Sequence, residues 1–76
     1  MPVPMSAAQI ADDMADRILR GDYGPGQKLE TRQELAEMYG VSVSTISAVV
    51  IRLKLMRLVE GAQGRGVFVV DDLPKH

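Results

Sequence analysis

Residues Thr31–Arg57, TRQELAEMYGVSVSTISAVVIRLKLMR, decide the fold. Thr31 is followed three residues later by Glu34, so each side chain can satisfy a backbone N–H of the other residue, and this capping box predicts a helix start. Leu35, Ala36, Met38 and Tyr39 recur at helical spacing, and Gly40 supplies the left-handed conformation that ends a helix without a side-chain clash. Val41 then turns inward and Ser42 caps a second helix. Ile46, Val49, Val50 and Leu53 follow at steps of three and four, which predicts one buried and one exposed side, with Arg57 marking the helix end. A short helix, a glycine turn and a second capped helix form either a helix-turn-helix, whose second helix enters a DNA major groove, or an ordinary helical hairpin. This stretch alone leaves both open.

The flanking residues narrow the choice. Ser6 and Gln9 form another capping box, and Ile10, Ala11, Met14, Ile18 and Leu19 mark the apolar side of a first helix that ends near Arg20 at Gly21. Its outer face carries Asp12, Asp13, Asp16, Arg17 and Arg20, read as solvated charge. Gly21–Gly26 reads as turns, and Lys28 to Glu30 as a very short strand. Beyond Arg57, Leu58 and Val59 begin an extended segment, Gly61–Gly66 is a glycine-rich tip, and Val67–Val70 is a second strand. The expected architecture is mainly α within the α+β class: three helices plus a small β-hairpin wing, a winged helix-turn-helix. Residues 6–71 form this domain, residues 1–5 a flexible N-terminal arm with Pro2 and Pro4, and residues 72–76 a flexible tail.

With 76 residues and 46% hydrophobic content, one core must stabilise the chain. The absence of cysteine removes disulfides and thiolate metal sites as supports, which fits a reducing cytosol. No apolar run reaches membrane-spanning length and the first residues lack a secretory pattern, so the expectation is a cytoplasmic, nucleoid-associated protein without membrane contact. The net charge of −1 counts against nucleic acid binding. Its distribution counts the other way, because Met38–Val70 holds Arg52, Lys54, Arg57 and Arg65 against Glu60 alone. His76, the sole histidine, has no nucleophile and base to join, and Asp12, Asp13 and Asp16 lack His or Cys beside them. Neither an enzyme nor a metal or cofactor site is expected. Tyr23, Tyr39 and Phe68 are too scattered for a base-stacking platform, and Tyr39 and Phe68 read as core.

These residues resemble the DNA-binding domain of GntR-type transcriptional regulators from about Ile10 to Val70. The resemblance rests on Gly26, Leu29, Thr31, Glu34-Leu35-Ala36, Gly40-Val41-Ser42, Thr45-Ile46, Gly64-Arg65-Gly66 and Phe68-Val69, all at the family's spacing. It implies the winged fold and a sequence-specific regulator of transcription, a small repressor or control factor. Three departures stand out. Val43 and Ser47 occupy positions where the family usually has arginine, Arg57 replaces a glycine after the recognition helix, and Glu30-Thr31-Arg32-Gln33 replaces the usual Pro-Ser-Glu-Arg. Members normally carry a large effector domain, for which this chain has no room, so no small-molecule effector is expected.

The candidate DNA-binding residues are Thr31, Arg32 and Gln33 at the second helix, Ser42, Ser44, Thr45 and Ser47 on the third, and Gly64, Arg65 and Gly66 at the wing tip. Hydroxyls and amides can bond phosphates or base edges, and a guanidinium between two glycines can enter a minor groove. Val43, Ala48, Ile51 and Leu55 form an apolar strip that suits protein contact, while Ala48 and Ile51 also suit thymine methyl groups. Double-stranded DNA is the expected partner, and so few cations suggest a homodimer or adjacent copies on a repeated site. Two rivals remain: a protein-interaction module on the same scaffold, and an architectural DNA binder such as a recombination directionality factor.

Overall fold

The computed structural model describes residues 5–62 and 64–73. Three helices precede a two-stranded hairpin: α1 (Ala7–Arg20), α2 (Arg32–Tyr39), α3 (Val43–Leu55), β1 (Val59–Ala62) and β2 (Gly66–Val69). This is the expected class, and the expected order apart from the short strand before α2.

Local chemistry sets the helix limits. Ser6 and Gln9 close a reciprocal capping box at α1, and Thr31 and Glu34 close another at α2. Gly21 and Gly40 end these helices in the left-handed region. The end of α3 is different: it stops at Leu55, Met56 stays right-handed, and Arg57 takes φ +62°. Closure there comes from Arg57 N–H donating to Lys54 C=O (3.0 Å) and Leu58 N–H donating to Leu53 C=O (3.1 Å). This is the bond pattern of a glycine-terminated helix, with an arginine in the position that a side chain disfavours.

The core forms where α1 and α3 cross. Ile10, Met14 and Ile18 from α1 share one buried cluster with Ile46, Val49, Val50 and Leu53 from α3, joined by Leu35 and Ala36 of α2 and by Leu58, Val59 and Val69 of the wing stem. Burying each large side chain contributes roughly 1.5–3 kcal/mol. Every α3 position predicted to be buried is buried. Met38 is not: it is 53% exposed, because the eight-residue α2 turns only Leu35 and Ala36 into the core. Tyr39 and Phe68, expected in the core, are half-buried. Tyr39 lies along the core edge, whereas strand alternation sends Phe68 to the face opposite Val67 and Val69. Tyr23, read only as part of a turn, is buried.

In the hairpin, antiparallel pairing sets Val59 opposite Val69 and Glu60 opposite Phe68. The short strand expected at Lys28–Glu30 is reduced to one bridge, Lys28 to Phe68. Leu29 N–H donates to Val67 C=O and Val69 N–H donates to Gln27 C=O, both at 2.8 Å. The turn at Gly24–Gly26 and the cap at Thr31 leave too little extended chain for more. At the edges of the described region, Met5 and Leu73 pack partly against the core.

Candidate nucleic-acid interface

The geometry begins at the turn between α2 and α3. Gly40 (φ +66°) lets Val41 N–H reach Ala36 C=O at 3.0 Å, and the two helices meet with a bend of 108°. An angle near 90–120° is the helix-turn-helix arrangement. It stands the start of α3 out from the body, next to the start of α2.

At the start of α2, Thr31 N–H donates to Glu34 Oε1 (2.9 Å) and Glu34 N–H donates to Thr31 Oγ1 (3.1 Å). The bonds from Thr31 hold the Glu34 carboxyl below its ordinary pKa, so it stays ionised where the helix dipole favours negative charge. Arg32 and Gln33 project from this fixed turn and are exposed.

A cleft of about 510 Å³ opens between the α2 start, the α3 start and the wing. Thr31, Arg32, Gln33, Val43, Gly64, Arg65 and Gly66 all line it, so seven of the predicted contact residues come together from three parts of the chain. Its floor includes Leu29, Leu35, Val50 and Val67, and its cations are Lys28, Arg32 and Arg65. Among the described residues the ion pairs are Arg17–Asp13 (3.2 Å) and Arg20–Asp22 (2.7 Å), neither of which draws on these cations. The one carboxylate in the lining, Glu30, accepts a hydrogen bond from the Tyr23 hydroxyl (2.9 Å).

Lys28 was not among the expected contacts. Alternation around buried Leu29 sends its side chain outward, over the wing. Gly66 has φ +106°, a backbone conformation that favours glycine, and a Cβ there would lie 3.0 Å from Lys28 Cε, which shows how closely the lysine side chain lies over the wing. Lys28–Leu29–Glu30 carried the signal as a short alternating run, but nothing local linked it to a wing far along the chain.

The remaining expected residues lie outside the cleft, on α3. Ser42 Oγ accepts Thr45 N–H (3.2 Å) and also bonds Ser44 Oγ (3.1 Å) and Thr45 Oγ1 (3.0 Å). Three bonds fill a hydroxyl's one donor and two acceptor sites, so Ser42 serves the cap. Ser44 is exposed, and Thr45, Ser47 and Ala48 are half-buried. Ile51 and Leu55 stand out at 58% and 79% exposure.

Comparison with known proteins gives a consistent set of relatives. The family model "Bacterial regulatory proteins, gntR family" matches residues 6–69. The Uxu operon transcriptional regulator of Escherichia coli (strain K12) is 35% identical over 64 residues, covering 84% of this chain and 25% of that protein. A GntR family transcriptional regulator from Listeria monocytogenes superposes with a TM-score of 0.82 at 27% identity, over 87% of this chain and 58% of that one. The DNA-binding domain of AraR, solved in complex with operator ORR3, superposes with a TM-score of 0.80 at 30% identity, over 92% of this chain and 93% of that one. The chain spans about a quarter or less of the length of the curated relatives it matches.

Proposed function

This chain belongs to the gntR family of bacterial regulatory proteins, and on that footing we propose that it binds duplex DNA in sequence-specific fashion as a transcriptional repressor or control factor. In the proposed complex α3 lies in the major groove through Ser44, Thr45 and Ser47. Arg32 and Gln33 contact the adjoining backbone and a base edge, and Arg65 meets the flanking backbone or minor groove. The observation that carries this reading is the cleft, which gathers Lys28, Arg32 and Arg65 beside the free start of α3. Phosphate neutralisation supplies most non-specific affinity, and three cations on one side of a chain of net charge −1 support reading that side as the DNA-facing surface. So small a number makes each module a weak binder. The proposal therefore includes a homodimer or adjacent copies on a repeated site.

A salt titration on mixed-sequence duplex tests the reading. Affinity should fall as salt rises, and Arg65→Ala should reduce the log–log slope by about one. Absence of duplex binding even at low salt would remove the proposal. A second reading, a protein-contact surface on the same scaffold, is favoured by one observation, the 79% exposure of Leu55 on α3. It requires Leu55→Asp to abolish association with a protein partner while leaving the salt titration unchanged.

A further inference from the structure

Ser44, Ala48, Ile51 and Leu55 follow one another at steps of four, three and four, along the side of α3 opposite Ile46, Val49, Val50 and Leu53. A helix rises about 1.5 Å per residue, so this line is long enough to follow several base pairs of a major groove. Its chemistry is unusual for a DNA-reading surface. Bidentate recognition of guanine needs arginine or lysine, and that of adenine needs asparagine or glutamine. From Val43 to Ile51 the helix has none of these. Arg52, exposed one turn beyond Ala48 and about 40° round the helix from it, borders the line on its C-terminal side, where a guanidinium can meet a phosphate. Lys54 is drawn to the wing stem, where its Nζ lies 3.2 Å from the position of a Cβ on Gly61. The hydroxyl of Ser42 is committed to the helix cap. Between the exposed Ser44 hydroxyl at its start and Leu55 at its far end, the middle of the line offers the DNA the methyl of Ala48 and the branched side chain of Ile51.

We propose that α3 selects A·T-rich half-sites through the thymine C5-methyl groups, with Ala48 and Ile51 as the residues that determine specificity. This rests on the DNA-binding reading above. Thymine is the only base with an apolar group in the major groove, so it is the base that an exposed isoleucine can recognise by removing apolar surface from water. The wing favours the same composition: A-tracts have a narrow minor groove of enhanced negative potential, which attracts an arginine placed like Arg65. The cleft cations adjoin the α3 start, so the methyl-reading line continues a surface already suited to a phosphate backbone.

The test is selection from a random-sequence duplex library by the full 76-residue chain at low salt. The enriched duplex is then compared with the same duplex carrying deoxyuridine for thymidine, which keeps the pairing and removes the methyl. Enriched sites should be A·T-rich, and uracil should weaken binding about fourfold per contacted methyl, the equivalent of one buried methylene. Ile51→Ser, at an exposed position and checked for folding by circular dichroism, should reduce the thymine-to-uracil ratio towards one, and Ala48→Ser should act in the same direction. G·C-dominated sites, or equal affinity of the unaltered chain for the two duplexes, would overturn the proposal and leave DNA binding intact. Failure to retain any duplex in a salt-sensitive way would overturn both.

Discussion

Helices α1 and α3 are 14 and 13 residues long, and each buries four side chains against the other elements, yet their outer surfaces are opposite in kind. The α1 surface is charged and tied down. Asp13 Oδ2 receives Arg17 Nε (3.2 Å) and the Tyr39 hydroxyl (2.8 Å), while Arg20 reaches Asp22. The α3 surface carries an open, uncharged line with Val43, Ile51 and Leu55 exposed, and its cations Arg52 and Lys54 are confined to the last turn. Charges that satisfy one another leave a surface content with water. An uncharged helix face beside three cleft cations that form no ion pair among the described residues has the composition of a contact surface.

The largest expected effect breaks what the two helices share. Ile46→Ala should cost about 2–5 kcal/mol in urea unfolding, and Met14→Ala a similar amount, since both side chains are fully buried. A cost well below 1 kcal/mol would mean that the α1–α3 crossing is not the core.

Alkaline pH should act next, and on the α1 side. Burial and hydrogen bonds to carboxylates push Tyr23 and Tyr39 up to about 12. Folding raises these pKa values, so the tyrosines' contribution is complete below the unfolded value near 10 and is lost as pH rises from there through about 12. Tyr39→Phe should flatten this loss in denaturant midpoints measured from pH 8 to 12. An unchanged alkaline slope in the Tyr23→Phe, Tyr39→Phe double variant would contradict the assignment.

At the start of α3, Ser42→Ala should cost about 1 kcal/mol through loss of the cap. At its other end Arg57→Gly should stabilise by about 0.5–1 kcal/mol, because relief of the left-handed strain exceeds the entropy that glycine gains when unfolded. Thermal melts of the two variants should therefore move in opposite directions.

The smallest stability changes sharpen the contrast most. Arg17→Ala and Ile51→Ser should each stay within about 0.5 kcal/mol of the parent. Only Ile51→Ser should alter duplex affinity. Equal effects of the two on binding would erase the distinction between the two surfaces.

Much of the fold was legible because its signals are short-range. The capping pairs Ser6/Gln9 and Thr31/Glu34, the glycine at position 40 and the run from Ile46 to Leu53 each act within one or two helical turns. The places where expectation failed depend on neighbours remote in sequence. Met38 has helical spacing but no surface to meet it, whereas Tyr23, inside a turn, is covered and bonded to Glu30. Of the candidate site, Thr31–Gln33 and Gly64–Gly66 could be named from their patterns, but the part played by Lys28 could not, because its significance arises only where it crosses Gly66.

The sequence by itself determined where helices begin and end, which of their sides turn inward and that a glycine-flanked arginine tips a hairpin, since backbone hydrogen bonds and side-chain periodicity are local matters. Tertiary structure alone decided that residues 28–33 and 64–66 face each other across a cleft, that Arg57 must adopt a glycine's conformation and that Ile51 and Leu55 remain uncovered. Packing decides these things because burial depends on what the rest of the chain brings to each surface, and no local pattern contains that information.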